Sequence, residues 1–549
     1  MTDLNTPLMA HRIGKDRNQF GLFATPLEDM IASDNMVRVI DAFVDKIDLD
    51  QLGFEHVRAH RTGAPPYEPA LLLKIYMYGY FNKIRSSRKL EAECARNIEM
   101  MWLTNLQQPS YHTIASFRSI KPHRKALKQV FRIFNQILEQ AGLFGKERIA
   151  IDGTKVCAQN SKKNHISEEK INKKIDYHTN KFHEYLDELD RADAAIKTGE
   201  VPNISPDTIN KALDEIQNRV EKLDDLLQLL EQAQKEDPSI RQISLTDPDA
   251  RAMPTNNLGM VDIVYNVQSA VDDEHCLIAN FSVENIMDIH LLSKTSVDAK
   301  AELAAETLEV LADKGYHYGA ELQKCASQNI TTYVAYPDQD YKTKEAGFQK
   351  ADFEYCAEKD VYQCPAGKEL TSTGTVYDKK NRTGQLQNQY KLFRVPFKTC
   401  AGCPFSDRCL TNSSHQNRQG RSIERSVYEE AVVNNRLRVI NNRDKYKRRQ
   451  AIVEHPFGTI KRSWGYYYTL LKGKQKVEAE YSLVFLTYNL RRAINILGVK
   501  DLLKWIKTCI FVKRPHDMPL GDLIFMKPKI VGPRSGISIS DFPAFQIAA

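Results

Sequence analysis

Residues 149–154 read Ile-Ala-Ile-Asp-Gly-Thr, an apolar run that ends in a carboxylate. Such a run is typical of a buried strand, and the chain from 147 to 157 is predicted to form one. A second apolar run, residues 308–313 (Leu-Glu-Val-Leu-Ala-Asp), ends in the same way. A strand that ends in an acid offers that acid at the edge of a sheet. Asp152 and Asp313 are therefore candidate partners in one site.

A third candidate acid, Glu454, lies in a segment that reads Arg-Gln-Ala-Ile-Val-Glu-His-Pro-Phe-Gly from Arg449 onward. If a helix brings this acid to the two aspartates, the three carboxylates can hold two divalent ions about 3.5–4 Å apart, as enzymes of in-line phosphoryl transfer do. Mg²⁺ is the expected ion because it prefers oxygen ligands, and Mn²⁺ is the alternative. Taken alone, an acid beside Lys and Arg is a surface salt bridge that contributes little to the stability of the fold.

The chain has 549 residues, 42% of them apolar, which is enough for two to four domains with real cores. Its net charge of +7 is unevenly spread, since the stretch from Arg436 to Lys476 holds twelve Lys or Arg against two Asp or Glu. A basic segment around a candidate active-site acid suits a polyanionic substrate, although a solvated basic helix is the plainer alternative. Four aromatic residues follow, which either stack on splayed bases or form a core edge: Trp464, Tyr466, Tyr467 and Tyr468.

Localisation is expected to be cytoplasmic. No uninterrupted apolar stretch is long enough to cross a membrane, and no apolar run near the N-terminus resembles a signal peptide. Disulfides are therefore not expected.

Four of the ten cysteines, Cys364, Cys400, Cys403 and Cys409, lie in one stretch of the chain. Four thiolates, with one pair at two-residue spacing, favour a structural Zn²⁺ site. Cys356 is a substitute for the first ligand, which has no close partner in the sequence. The alternative is a set of reduced, partly buried thiols.

Three further segments have recognisable patterns. Apolar spacing from Pro69 onward predicts short helices, which favour either a DNA-binding bundle or an ordinary helical domain. A seven-residue apolar repeat predicts an antiparallel coiled-coil hairpin over residues 165–240. Strands and helices then alternate from Met260 to Tyr336, with a helix in part of Asp288–Ala312, which implies an α/β domain with a mixed sheet. Five basic residues are expected on the outside of the N-terminal helices: Arg85, Arg88, Lys89, Arg118 and Lys121.

Six short strings, in this order and spacing, resemble the DDE transposases of bacterial insertion sequences, most closely the IS1182 family within the IS4/IS5-like group. The strings are Ala150-Ile151-Asp152-Gly153-Thr154-Lys155, Asp247-Pro248-Asp249-Ala250-Arg251, Tyr265-Asn266-Val267-Gln268 followed by Val271-Asp272, Leu311-Ala312-Asp313-Lys314-Gly315-Tyr316, Val453-Glu454-His455-Pro456-Phe457-Gly458 and Tyr488-Asn489-Leu490-Arg491-Arg492.

The resemblance implies an α/β fold with an RNase H-like mixed sheet that has helices on both faces. It also implies a helical domain over residues 1–140 that helps to bind the transposon ends, ahead of a catalytic domain over residues 141–500. The helical hairpin (165–240) and a Cys-rich segment (340–415) are then insertions in the catalytic domain. The resemblance does not explain the tail from 501 to 549.

The same resemblance implies that Asp152, Asp313 and Glu454 form the metal-binding triad for two Mg²⁺ ions, with Asp152 bridging both. A Tyr-Arg-Glu-Lys signature surrounds the glutamate in the related group. Its counterpart here is Tyr446, Arg449, Glu454 and Lys461, with one more residue between Arg and Glu than in that signature. Arg449 and Lys461 are expected to contact the DNA backbone. Tyr446 is expected either to position DNA or to pack in the core.

The function implied is that of a DNA transposase that binds terminal inverted repeats and catalyses metal-dependent strand cleavage and strand transfer. Its expected partners are the double-stranded DNA of the transposon ends and of the target, on which it acts as a homo-oligomer associated with the nucleoid. Two alternatives remain open: a catalytically inactive relative that only binds DNA, and an RNase H-fold nuclease without strand transfer. A scaffold organised by the helical hairpin is a weaker third.

Overall fold

The computed structural model describes residues 26–57, 66–159, 165–198, 204–236, 240, 242–255, 260–336, 348–380, 386–410 and 418–508. Most of the tail from 501 to 549, and parts of the Cys-rich segment, lie outside the described residues.

Six α-helices form the part of the described chain that precedes the first strand. The second begins with Pro69, whose missing N–H is no loss in a first helical turn. Polar side chains cap the fourth and fifth, since Asn97 accepts hydrogen bonds from two backbone N–H groups and Ser110 from one. The six are α1 (Val37–Lys46), α2 (Pro69–Phe81), α3 (Ser87–Arg96), α4 (Ile98–Leu103), α5 (Tyr111–Ser119) and α6 (Lys121–Gln140).

The first strand leads into a long helical hairpin. Ile171, near the start of one helix, packs in the same cluster as Leu230, near the end of the other. Ala192 and Ile209 pack together at the opposite end, so the two 31-residue helices run antiparallel. The elements are β1 (Arg148–Cys157), β2 (His165–Ser167), α7 (Glu168–Thr198), α8 (Pro206–Glu236) and β3 (Gln242–Ser244), with β2 and β3 paired at the base.

A six-stranded mixed sheet is the centre of the fold. Its order is β4–β5–β1–β7–β8, and a sixth strand, β6, also pairs with β5. The pairs of β5 are antiparallel, whereas β1, β7 and β8 are parallel. The remaining elements of this part are β4 (Arg251–Pro254), β5 (Val261–Asp272), β6 (Ile278–Glu284), α9 (Leu292–Glu302), β7 (Leu308–Ala312), α10 (Gly319–Ser327) and β8 (Ile330–Val334).

The helix expected within Asp288–Ala312 is shorter than that range. A 3₁₀ turn occupies Asp288–His290, and α9 ends at Glu302. Ala304 has a φ of 48°, a left-handed conformation that does not continue an α-helix. The apolar run beyond it forms β7 instead.

The Cys-rich segment, together with the residues that follow it as far as Ser426, forms a second, five-stranded sheet with its own small core. The core consists of Phe353, Tyr362, Leu370, Phe393, Val395 and Ile423. Its elements are β9 (Glu354–Cys356), β10 (Val361–Gln363), β11 (Glu369–Lys380), β12 (Leu386–Arg394), α11 (Phe397–Ala401), α12 (Ser406–Cys409) and β13 (Ser422–Ser426), and the strands are in the order β13–β12–β11–β10–β9.

Three longer helices complete the described chain: α13 (Glu429–Asn441), α14 (Arg443–Phe457) and α15 (Lys474–Thr508), the last interrupted at Gly498. α14 lies against β1, β5 and β7, with Ile452 and Val453 buried, and continues into a π-helical turn over Gly458–Ser463. None of the described helices combines the length and apolar character that crossing a bilayer requires.

The N-terminal helices share one continuous hydrophobic core with the six-stranded sheet, mainly because α15 packs against α1, α2 and α6. Two of the basic residues expected outside lie inside, since Arg85 is 8% exposed and Arg118 is 5% exposed. Arg85 donates to Glu480 on α15, and Arg118 donates to the Tyr80 hydroxyl. The expectation of an outer basic face was wrong for these two, because each is buried with a polar partner.

Candidate active site

Asp152 and Asp313 lie at the same edge of the six-stranded sheet. β1 and β7 are parallel neighbours, and Ala150 is paired in register with Leu311. Each acid is two residues beyond its member of that pair, so the register places both side by side at the end of β7. Asp313 directly follows β7, and Asp152 lies where β1 passes that end and continues to Cys157. In open α/β sheets this is where ligands bind.

The two carboxylates influence each other. Burial raises the pKa of Asp152 to about 6, with the negative charges of Asp313 and Asp288 adding to the rise and Arg449 opposing it. Asp152 accepts a hydrogen bond from Gly153 N at 3.0 Å, and Asp313 accepts one from Gly315 N at 2.8 Å. Backbone N–H groups of the residues that follow each acid therefore orient the two carboxylates, and their surroundings favour additional positive charge.

Helix α14 contributes two side chains to this edge. Arg449 is half-buried and interacts electrostatically with Asp152. Tyr446, one turn earlier, lies near Arg449, and the charges of Arg449, Asp313 and Asp152 act on its hydroxyl. Burial is the main cause of the raised pKa of Tyr446. The structure therefore brings both residues to the aspartate pair, and Tyr446 also packs against the core.

Glu454 occupies a different position. Its side chain is exposed, and its Oε1 accepts a hydrogen bond from Gln450 Nε2 at 2.7 Å. Within the described part of the chain, no three His, Cys, Asp or Glu side chains are grouped so that they could hold a metal ion. Glu454 therefore does not complete a three-acid group with Asp152 and Asp313 in this conformation.

Lys461 is held by β1 rather than extended into solvent. Its Nζ donates to the Thr154 hydroxyl and to the Lys155 carbonyl oxygen, both at 2.9 Å. Burial lowers the pKa of Lys461. Its ammonium group thus fixes the π-helical turn beyond α14 to the strand that carries Asp152.

Sequence reasoning missed a buried polar cluster beneath the aspartates. Asp288 accepts hydrogen bonds from Lys155, Asn266 and Gln268. The Tyr316 hydroxyl donates to Gln268 Oε1 at 2.5 Å. A signal was present in the sequence, because Asn266 and Gln268 are polar residues in a stretch of strand, residues 263–271, that is mostly apolar.

The four thiols of the Cys-rich segment lie close to one another. Burial raises the pKa of Cys409, and the neighbouring Cys400, Cys364 and Cys403 add to the rise. Cys364, Cys400 and Cys409 pack against the small core of the five-stranded sheet. The Cys364 Sγ accepts a hydrogen bond from Lys368 N at 3.3 Å. Cys409 therefore lies near the other three thiols, but within the described residues the four are not in the arrangement of a formed metal site.

In the basic stretch from Arg436 to Lys476, several side chains are already paired within the protein and are not free to contact a polyanion. Arg438 donates to the Thr332 carbonyl oxygen, Lys445 pairs with Glu309, and Arg448 pairs with Asp273. Trp464 and Tyr466 are buried, whereas Tyr467 and Tyr468 are exposed. This stretch therefore combines structural ion pairs and a core edge with a remaining exposed basic and aromatic surface.

Two family models match separate parts of the chain. A transposase domain model (DUF772) matches residues 25–119, and a transposase DDE domain model matches residues 363–494. The first range covers α1 to α5, and the second includes Glu454 but neither aspartate. No curated protein and no solved structure matches the chain. The two family matches bear out the resemblance that the sequence motifs indicate.

Proposed function

We propose that this chain, a DNA transposase of the insertion-sequence type with a DDE domain, cuts and joins DNA at the sheet edge that carries Asp152 and Asp313, with Glu454 as the third acid. DDE enzymes of this kind are metal-dependent. The substrate is double-stranded DNA of the element's ends and of the target, bound by a homo-oligomer in the cytoplasm.

The observation that carries the proposal is the register of the parallel strands β1 and β7, which puts two acids side by side where β7 ends. The strand arrangement supports an RNase H-like core, with antiparallel β4, β5 and β6 on one side of β1 and parallel β7 and β8 on the other. In this interpretation the hairpin of α7 and α8 and the five-stranded sheet are insertions.

The position of α14 supports Glu454 as the third acid. Arg449, five residues before it, interacts with Asp152, and Lys461, seven residues after it, is fixed to β1. At a rise of about 1.5 Å per residue, Glu454 lies within about 10 Å of both along the helix axis. We infer that binding of cations and DNA draws the Glu454 carboxylate from Gln450 toward the aspartates.

The carboxylates of Asp152 and Asp313 fit Mg²⁺, or Mn²⁺ in its place, because they provide oxygen ligands. At this half-buried edge they also have too little neighbouring positive charge to neutralise them. When bound, a pair of such ions activates a water or a DNA 3′-hydroxyl and stabilises the leaving oxygen. The protein's part is to hold the acids at that spacing. Arg449 and Lys461 are proposed to border the DNA backbone, and Tyr446 to position DNA near the scissile phosphate.

The test is cleavage of labelled transposon-end DNA by purified protein with Mg²⁺. Asp152→Asn, Asp313→Asn and Glu454→Gln should each abolish cleavage and leave DNA binding intact. Asp444→Asn is the matched control, since Asp444 lies on the same helix with a fully solvated side chain and should retain full activity. Cleavage by the Asp152→Asn protein would overturn the assignment.

The reaction products distinguish transposition from the two alternatives, a nuclease and an inactive relative. Joined donor–target molecules support transposition, whereas cleavage without joined products indicates a nuclease. Binding without cleavage by the unaltered chain indicates an inactive relative.

We also propose a structural Zn²⁺ held by Cys364, Cys400, Cys403 and Cys409. Four neighbouring thiols are the soft donor set that tetrahedral Zn²⁺ prefers, and we infer that their side chains rotate to close the site. Zinc analysis of purified protein should give about one ion per chain, lost in Cys403→Ser. Cys325→Ser, at a buried cysteine elsewhere in the fold, is the control and should retain the metal. A metal-free unaltered protein would contradict this proposal.

A further inference from the structure

Asp288 is half-buried and is the centre of a hydrogen-bond network that connects the two aspartate-bearing segments. Its Oδ1 accepts from Asn266 Nδ2 at 2.8 Å, from Gln268 Nε2 at 2.7 Å and from Lys155 Nζ at 3.1 Å. Its Oδ2 accepts from the same Lys155 Nζ at 2.8 Å. Asn266 and Gln268 are fully buried on β5. Both oxygens of Asp288 are thus occupied by protein donors.

Each end of the network belongs to one catalytic segment. Lys155 is three residues beyond Asp152 on β1. Tyr316 is three residues beyond Asp313, is 1% exposed, and donates to Gln268 Oε1 at 2.5 Å. The path from Tyr316 through Gln268 and Asp288 to Lys155 therefore ties the two segments together through side chains alone.

Two glycines make room for this network. A Cβ at Gly153, beside Asp152, would clash with Gln268 Nε2 and Asp288 Oδ1. A Cβ at Gly315 would lie 3.0 Å from Asp313 Oδ1 and 3.9 Å from Asp288 Cβ. Asp288 therefore lies close to the backbones of both acid-bearing segments, most closely at Gly153.

We propose that Asp288, Gln268 and Tyr316 are positioning residues that fix the spacing between Asp152 and Asp313 and so set the affinity of the site for divalent cations. The inference rests on the proposed function of the two aspartates. Asp288 is assigned a positioning role rather than that of a metal ligand, because Lys155 donates to both of its oxygens and Asn266 and Gln268 donate to Oδ1. It acts through the orientation of the strands on either side.

The variant that isolates this role is Tyr316→Phe, which deletes one hydroxyl and keeps the buried ring. Asp288→Asn removes the charge that Lys155 faces and is the stronger perturbation. Tyr333→Phe is the matched control, since the Tyr333 hydroxyl donates to Glu309 in the same sheet, away from the network that joins the aspartates. A positioning role predicts that only the first two variants change metal affinity.

Mn²⁺ binding to the full-length protein, followed by the electron paramagnetic resonance signal of the free ion, measures this affinity without requiring activity. Tyr316→Phe and Asp288→Asn should weaken Mn²⁺ binding about tenfold or more, the range found when groups that orient metal ligands are removed. The Mg²⁺ concentration for half-maximal DNA cleavage should rise by the same factor. Tyr333→Phe should leave both values unchanged.

Two results would overturn the inference. One is Mn²⁺ affinity in Tyr316→Phe equal to that of the control while the unaltered protein binds the ion. The other is absence of Mn²⁺ binding by the unaltered protein. Cleavage that persists in Asp152→Asn would instead refute the proposed function, so the two failures are distinguishable.

Discussion

Replacing Arg85 by Ala tests how the N-terminal helices are joined to the sheet. Arg85 Nη1 donates to Glu480 Oε1 at 3.2 Å and to the Tyr468 carbonyl oxygen at 2.8 Å. Glu480 is fully buried and also accepts from Leu470 N and Leu471 N. The substitution therefore leaves a buried carboxylate with backbone donors but without its nearest cation.

The magnitude follows from these contacts. Removing one partner of a buried ion pair costs about 3–5 kcal/mol. The Arg85 guanidinium also lies 4.3 Å and 4.6 Å from the ring centroids of Tyr466 and Tyr468, and loss of such contacts costs about 0.5–2 kcal/mol. Arg118 and the two backbone N–H groups continue to stabilise Glu480. We therefore expect a loss of about 4 kcal/mol in the free energy of unfolding at neutral pH.

The loss in the free energy of unfolding caused by Arg85→Ala should depend on pH. Burial raises the pKa of Glu480 in the folded protein above its ordinary value. A carboxyl with a raised folded-state pKa favours folding at low pH, and this contribution is lost as pH rises through that pKa. Arg85→Ala removes an opposing charge and raises the pKa further. Its cost should therefore be smaller at about pH 5 than at about pH 8.

Urea unfolding followed by tryptophan fluorescence measures the effect, since Trp464 lies in the segment that Arg85 contacts. Arg85→Ala combined with Glu480→Gln should recover part of the loss, because the buried side chain that has lost Arg85 is then neutral. Arg96→Ala is the control: Arg96 pairs with Glu93 but is 69% exposed, so its loss should cost less than about 1 kcal/mol. Equal costs for Arg85→Ala and Arg96→Ala would refute the reasoning.

Two further predictions concern packing around the sheet. Gly153→Ala should abolish DNA cleavage and lower the unfolding midpoint, because its Cβ meets two buried side chains, whereas Gly458→Ala, with nothing within 4 Å, should do neither. Asn489→Ala should cost about 3 kcal/mol in urea unfolding, because the Asn489 amide donates to Asn135 and to the Ile278 carbonyl and accepts from Ile278 N. A cost below about 1 kcal/mol would show that water replaces these bonds.

The local pattern of apolar residues was sufficient to predict much of the fold from the sequence. The apolar runs that end at Asp152 and Asp313 predict strands, and β1 and β7 are confirmed. The seven-residue apolar repeat likewise predicts the two long helices α7 and α8. These features depend on residues close in sequence, so one chain is enough to find them.

Features set by distant contacts were not predictable in this way. Arg85 looks like a surface residue until α15, nearly 400 residues later, provides Glu480 as its partner. Asp288 lies in a turn with no periodic signal, and only the pairing of β5 with β1 places its donors around it. The outward orientation of Glu454 is likewise set by the packing of Ile452 and Val453 against the sheet.

Asp152, Asp313 and Glu454 are proposed to bind one pair of divalent ions when DNA is present. The most direct test is the anomalous scattering of Mn²⁺ in crystals of the protein bound to transposon-end DNA. Two Mn²⁺ peaks about 3.5–4 Å apart are expected, with Asp152 shared between them and Asp313 and Glu454 each bound to one. Ions bound elsewhere, or a Glu454 carboxylate that still faces Gln450 while the metals are in place, would contradict the proposed site.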